Sequence, residues 1–372
     1  MRIAIVDLKW SYGIESLSTA IREELLRYAE VELISATESQ LPYSIKIAKS
    51  RTATDMVLAF VNPIVHLRLI RSIIRMKPDV VYINSPHLLN PVVAAFCRVF
   101  TDIYVISHVH DPDYYGSPHA AFVANSIAFF LSRVSNRVYC LGTGIRDMIC
   151  ERFRVCSERV AVFRHGPNQK TFYDSHDARE RLTQPEYFAF IGSVHPRKGI
   201  QFFLEAAYEF NQRHGTGRVK FLLAGAGDAR PYREMINRLP NLLVVNRFIE
   251  NDEINDMLGR SYALVLPYVG GMLQSSFPAI AYGNGCPVIA SRIGSLYEEI
   301  DEGKTGYVVD KENASEITEA MCKVVDSGKY ADLSRNAMNA YLKKFQWKCI
   351  GEEIYRDMKA SLSRARNDSD SA

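Results

Sequence analysis

At 372 residues, with 47% apolar and 23% charged residues, the chain has the length of two domains and the composition of an ordinary globular protein. A net charge of only +3 argues against a polyanion binder, so nucleic acid is not an expected partner. The seven cysteines are scattered and odd in number, with no CxxC pair, which argues against a disulfide framework or a zinc site and fits a reducing cytoplasm.

Taken in order, Ile3 to Asp7 reads as a buried strand; its apolar run is too short, and too soon interrupted by an acid, for a secretion signal. No uncharged run reaches the ~18 residues that a membrane span needs. Trp10 to Gly13 is a loop, and Ile14 to Ala29 has helical spacing through Ile14, Leu17, Ile21 and Leu25. A strand that turns at a glycine into a helix is the pattern of a phosphate or substrate loop, although many helices start at a small residue with no ligand nearby. Val31 to Ser35 is the next strand. Pro63 to Lys77 is helical by pattern and carries Arg68, Arg71, Arg75 and Lys77 with no acid. Such a helix can lie on an anionic membrane, and the plainer reading is a core helix with a solvated cationic face.

Asp79 to Asn84 is a strand and Leu88 to Val99 a helix. Ile103 to Ser107 is a strand that ends in His108-Val109-His110-Asp111-Pro112. Alternation puts His108 and His110 on one side. Polar residues crowded at a strand end point to ligand contact; the alternative is a loop whose His and Asp cap a turn. Phe122 to Leu131 is an apolar helix. Arg137 to Leu141 and Val160 to Phe163 are the last strands of this half, and a turn-rich connector from Arg164 leads to a domain boundary near residue 180.

The second half restarts the alternation. Tyr187 to Ile191 is a strand, Gly192 to Gly199 a loop and Ile200 to Arg213 a helix. Val219 to Ala224 is a strand ending in Gly225-Ala226-Gly227-Asp228, and Leu242 to Val245 another, followed by Asn246 to Ile249. Asn251 and Asp252 are competent caps for a helix to Leu258. Tyr262 to Leu266 is a strand; a loop with Gly270 and Gly271 follows, then Gln274-Ser275-Ser276, the short helix Phe277 to Tyr282 and a strand from Pro287 to Ala290. Leu296 to Ile300 starts a helix, Gly306 to Val309 is a strand, and Ala314 to Val325 and Asp332 to Arg364 are helical. Two successive sets of alternating strands and helices predict two doubly wound parallel-sheet domains, with ligands at the carboxyl ends of the strands or in the cleft between the domains. Arg197 and Lys198, beside a glycine and a helix start, suit a diphosphate.

In combination these motifs become specific. FIGSVHPRKGIQFFLEA, FLLAGAG, RF-IENDEIND, LVLPY, GNGCPVIASRIGSLYEE and GKTGYVV follow one another between Phe188 and Val309. PDVVYIN, VISHVHD and VFRHGPN precede them, and Phe345-Gln346-Trp347 follows. The chain resembles the nucleotide-sugar-dependent glycosyltransferases of family 4 (group 1). The resemblance implies the α/β GT-B fold, two Rossmann-like doubly wound parallel-sheet domains facing a central cleft. Expected are an acceptor-side domain over 1–180, a donor domain over 181–340, a helix over 341–365 that crosses back to the first domain, and a disordered tail over 366–372.

The resemblance also implies roles. Lys198 would hold the donor diphosphate. Ser193 stands where relatives carry an Arg after the strand-end Gly192, and Arg197 is expected to take over that charge. His110 matches a His near the transfer centre, with Asp111 beside it; Gly13 would line the cleft, Gly225 would lie in a donor loop, and Phe248 would lie near the base. Many relatives carry two glutamates where this chain has Met272 and Ile280; Gln274, Ser275 and Ser276 would supply replacement contacts, and Glu298 matches a further acid of the family. The implied activity is retaining transfer from a nucleotide-diphosphate sugar to a glycan or lipid-linked acceptor in surface polysaccharide assembly. No cofactor and no metal are expected, and the place is the cytoplasm, with a peripheral contact at the inner face of the membrane. The missing glutamates keep open a non-catalytic binding or scaffold subunit, and an epimerase or hydrolase of nucleotide sugars has the same fold.

Overall fold

The computed structural model describes residues 1–8, 12–36, 44–48, 52–112, 118–167, 185–270, 274–326 and 328–370. The chain forms two units: Met1–Arg164 together with Trp347–Ala372, and His165–Gln346.

Unit 1 is built on seven strands: β1 (Arg2–Asp7), β2 (Glu30–Ser35), β3 (Ser44–Lys46), β4 (Val80–Ile83), β5 (Tyr104–His108), β6 (Arg137–Cys140) and β7 (Val160–Val162). They pair in parallel in the order β3-β2-β1-β4-β5-β6-β7. Among the described residues six helices join them: α1 (Tyr12–Leu25), α2 (Ala53–Val61), α3 (Pro63–Met76), α4 (Asn90–Phe100), α5 (Pro118–Val134) and α6 (Thr143–Phe153). Parallel strands covered on both faces must be apolar on both, which explains the apolar runs Ile3–Val6 in β1, Val80–Ile83 in β4 and Tyr104–Ile106 in β5. One face of the sheet packs on α3, α4 and α5 through Leu69, Ile73, Val93, Cys97 and Leu131. The other face, through Ile5, Tyr82 and Ile106, packs on Leu17 and Ile21 of α1 and on Ile350, Ile354 and Met358 from the chain's last helix.

Unit 2 runs β8 (Tyr187–Ile191), α7 (Ile200–His214), β9 (Lys220–Ala224), α8 (Arg233–Asn237), β10 (Leu242–Val245), α9 (Asn251–Gly259), β11 (Ser261–Leu266), α10 (Phe277–Gly283), β12 (Val288–Ser291), β13 (Gly306–Val309), α11 (Ala314–Asp326) and α12 (Tyr330–Ala340). Its sheet has the order β10-β9-β8-β11-β12-β13, again parallel throughout. The strand order reverses between β1 and β4 in unit 1 and between β8 and β11 in unit 2. These are the switch points where open α/β sheets receive ligands at their carboxyl edge.

Several expectations are corrected. The unit boundary falls after Arg164, ahead of the expected 180; β7 ends at Val162 and no strand links the connector to unit 1 among the described residues. The long terminal helix is two elements. A π-helical turn, Tyr341–Phe345, seats Phe345 edge-on against Tyr282 in unit 2 at 5.5 Å, and Gln346 then leaves helical geometry. The last helix, α13 (Trp347–Asp370), belongs to unit 1 and runs through most of the expected disordered tail. Arg366 anchors that end to Asp79 at 2.5 Å, a long-range partner that the local composition could not reveal. The cap of α9 is also shifted. Glu250 precedes the helix and its N–H donates to the Glu253 carboxylate at 3.1 Å, so Asn251 and Asp252 lie inside the first turn. Leu296–Glu299 is a single 3-10 turn. β3, α2, α6 and α8 were not predicted.

Gly351 sets how closely α13 approaches α1, since a Cβ there would stand 2.4 Å from Cβ of Glu24. Arg137 ties the same helix to β6 by a two-pronged bond to Asp357, at 3.0 and 2.5 Å. Because Ile354 is 1% exposed in the core that α13 shares with the sheet, Ile354→Ala should cost about 2–5 kcal/mol in denaturant unfolding. A cost below about 1 kcal/mol would mean that α13 is not part of the unit 1 core.

Candidate functional site

In unit 2 the loops after β8, β9 and β11 are tied backbone to backbone at the carboxyl edge. The Gly192 N–H donates to the Ala224 carbonyl at 2.9 Å and the Val194 N–H to Ala226 at 2.8 Å, which continues the β8–β9 pairing beyond the strands. Gly225 has a φ of +146°, and a Cβ on it would lie 1.8 Å from the Gly192 carbonyl oxygen. The loop after β8 then turns at Gly199, φ +67°, where a Cβ would lie 1.7 Å from the Pro267 carbonyl oxygen. The Val269 N–H completes the tie by donating to the Arg197 carbonyl at 3.0 Å. Only glycine permits these approaches.

That frame delivers Lys198. It ends the 3-10 turn Pro196–Lys198, whose first turn is capped by His195 Nδ1, accepting from the Arg197 N–H at 3.2 Å. The Lys198 ammonium rests 3.9 Å above the ring of Tyr268, the second residue past β11, which is 1% exposed. Cation–π contact fixes the amine while leaving its charge unneutralised, and no carboxylate among the described residues pairs with it. Arg197 is half-buried beside it and Ser193 is exposed on the same loop.

The remaining predicted positions of this unit also lie at the carboxyl edge. Phe277, at the start of α10, comes within 3.8 Å of where a Cβ on Gly192 would be. Gln274 and Ser275 lead into it; Ser275 Oγ accepts from the Phe277 N–H at 3.3 Å, and Ser276 is buried at the N-cap without a side-chain capping bond. Ile280 is 3% exposed and faces the core with Leu266 and Tyr282. Met272 lies outside the described residues. Glu298 sits in the 3-10 turn after β12. Phe248, after β10, is 67% exposed. Its carbonyl accepts from Arg247, whose guanidinium also grips Glu253 at 2.8 and 2.5 Å. The Arg247 hydrogen bonds hold the Glu253 carboxyl down at about 2, so an exposed aromatic ring is carried on a charge-pinned loop.

In unit 1 the predicted residues stand on a buried polar chain at the switch point. Asn84 donates to Ser18 Oγ at 2.6 Å, and Ser18 donates to Asp7 at 2.5 Å. The Tyr82 phenol lies 2.6 Å from His108 Nδ1 and 3.3 Å from Asn84 Oδ1. Burial, and then the Asp7 carboxylate, push that phenol well up, so it stays protonated. The rings of His108 and His110 stack at 4.3 Å and 11°, as the alternation predicts. His110 Nε2 lies 2.8 Å from the Asn84 carbonyl, which can only accept; Nε2 therefore carries the proton, and in the neutral ring Nδ1 is the acceptor. His108, His110 and Asp111 line a cavity of about 160 Å³ whose far wall is apolar, from Ala124, Ile127 and Leu131 of α5. Gly13 lies in the first turn of α1, after β1.

The roles of Tyr268 and Asn84 escaped the sequence; the only trace is that each lies within two residues of the end of a buried strand. Three metal-competent atoms, from His214, Cys322 and Asp326, lie within 4.8 Å of one another. His214 ends α7 at the amino edge of the sheet, opposite the loops, and Arg218 already binds Asp326 at 2.7 Å.

Family models fit both halves: residues 13–169 match the model described as Glycosyltransferase Family 4, and residues 185–327 the one described as Glycosyl transferases group 1. The chain is a GT-B glycosyltransferase-family protein of the family 4, group 1 type. Curated relatives include the D-inositol 3-phosphate glycosyltransferase of Acidothermus cellulolyticus, 29% identical over 58% of this chain and 50% of that protein. An uncharacterized glycosyltransferase of Methanocaldococcus jannaschii is 23% identical over 58% of this chain and 57% of its own length. The chain thus spans less than two thirds of these relatives. Among solved structures, Anabaena HepE in complex with UDP superposes with a TM-score of 0.74 over 97% of this chain and all of that one, at 14% identity.

The frame of this family member makes a steric prediction. Gly225→Ala should cost at least about 2 kcal/mol in denaturant unfolding, from the backbone clash added to positive-φ strain. Gly215→Ala, at φ +76° and ψ 162° with open space around it, should cost less, about 1–2 kcal/mol, from backbone strain alone. Equal costs would show that the loop approach is not tight.

Proposed function

We propose that the chain is a retaining glycosyltransferase that moves a sugar from a nucleotide-diphosphate sugar to a hydroxyl acceptor. We place its role in surface polysaccharide or glycoconjugate assembly, at the inner face of a membrane, with a glycan or lipid-linked acceptor. The observation that carries the reading is the unneutralised Lys198 ammonium, held over Tyr268 at the carboxyl edge of the β8–β11 switch point. A cation so placed suits a diphosphate, and Arg197 adds a second charge on the same turn. Phe248 offers an exposed ring to a base, and Gln274, Ser275, Ser276 and Glu298 offer polar groups to the sugar and ribose. Unit 1, with His110 and Asp111 beside an apolar-walled cavity, is assigned the acceptor.

The bond between the sugar's anomeric carbon and the β-phosphate oxygen lengthens through an oxocarbenium-like state. Negative charge grows on the departing diphosphate, and Lys198 and Arg197 stabilise it. The acceptor oxygen attacks the same face of the sugar, so configuration is retained, and its proton passes to an oxygen of the leaving diphosphate. The two side-chain cations meet the charge, so turnover is expected to persist in a chelator.

HepE structures hold UDP and UDP-glucose, which makes uridine the first base to test. Calorimetry of the intact protein with UDP, GDP and ADP should find one that binds, and Lys198→Ala should weaken it by about tenfold or more, with Lys198→Arg intermediate. Unchanged affinity in Lys198→Ala removes the assignment. The buried Ile280 in place of a relative's glutamate favours a second reading, a non-catalytic subunit of the same fold; nucleotide binding without sugar transfer to any acceptor would support it.

A further inference from the structure

α2 buries a single residue, Ala59. A helix of nine residues is marginal in water by itself, and local chemistry holds this one. Thr52 and Asp55 close a capping box, with bonds of 2.9 and 3.1 Å. Asn62 then caps α3 by accepting from the Ile64 N–H at 3.0 Å, with Pro63 at the first helical position. His66 Nε2 reaches the Phe60 carbonyl at 2.6 Å across the joint. The two helices thereby meet in a fixed elbow of 80°.

The outer side of that elbow is apolar. Val57, Leu58, Phe60, Val61, Ile64 and Leu67 are all exposed, Val61 by 65%. Further along α3 and at its C-cap come Arg68, Arg71, Arg75 and Lys77, exposed, with no acid on the helix. Among the described residues no carboxylate pairs with any of the four. The inner stripe of α3, Val65, Leu69 and Ile73, is buried in unit 1, so the outer side is available without unfolding. By helical rise the two arms are roughly 14 and 21 Å long, too short for either to span a ~30 Å hydrocarbon core.

We propose that the α2–α3 elbow docks unit 1 on an anionic lipid bilayer. Apolar residues at the tip enter the acyl boundary, and the four cations behind them lie at the level of the phosphates. The occupant follows from charge complementarity. An unpaired row of cations next to an apolar tip matches the order of a bilayer surface, negative outside and apolar beneath. The proposal rests on the membrane placement given above and on no part of the donor chemistry, so vesicle binding and nucleotide binding are separate readouts.

The test is co-sedimentation of the full chain with vesicles of phosphatidylcholine alone and with added phosphatidylglycerol. Binding is expected to the anionic vesicles, with little to the neutral ones. Leu58→Asp with Val61→Asp should lower the partition by about tenfold or more, and so should Arg68→Glu with Arg71→Glu. All four positions are exposed, so thermal melting and UDP, GDP or ADP affinity should be unchanged. Absence of binding, equal binding to both vesicle types, or wild-type partition in either variant overturns the proposal. So does a wild-type dimer in sedimentation velocity that Leu58→Asp with Val61→Asp converts to monomer without vesicle binding, since the elbow would then be a self-association face.

Discussion

The closest approach of backbone to backbone governs unit 2. At Gly199 and Gly225 the loops after β8, β9 and β11 meet at distances that no side chain permits. The consequence is chemical as well as steric. Lys198 comes one residue before Gly199, and the ring beneath its amine comes one residue after Pro267, whose carbonyl Gly199 abuts. The cation and its aromatic rest are therefore positioned by the same contact. A long, flexible lysine ordinarily pays a large entropy to hold one geometry; here the frame limits that cost before any anion arrives.

Unit 1 fixes its polar residues by another means. Asp7, Asn84 and His108 are all nearly inaccessible, yet they lie at the strand ends of a switch point rather than in an apolar core. Burying such groups is costly unless they are bonded to one another. The Asn84–Ser18–Asp7 chain, the Tyr82–His108 contact and the His110 bond to the Asn84 carbonyl supply those bonds. The last of these fixes the tautomer of His110 beside the cavity under α5.

The sequence made the strands easy to read, because a parallel sheet covered on both sides demands apolar runs such as Ile3 to Val6 and Phe188 to Ile191. The loops carrying Lys198, Gly225 and Phe248 followed from their place after those strands. Elements with little burial were missed for the same reason: α2 buries only Ala59 and rests on caps, and β3 is a three-residue edge strand. The true boundary at Arg164 and the length of α13 depend on contacts distant in sequence, Arg366 with Asp79 and Arg137 with Asp357. Pattern also could not say that Ile280 faces the core or that Lys198 sits on Tyr268, because both depend on where a neighbouring loop passes.

The central claim, that the glycine-tied loops of unit 2 receive a nucleoside diphosphate, is tested most directly by amide hydrogen exchange on the intact protein with and without UDP or GDP. The account predicts slowed exchange over 192–199, 225–228 and 267–268, with the strands of unit 2 unaffected. Nucleotide binding that leaves those loops unchanged and protects some other part of the chain would contradict it.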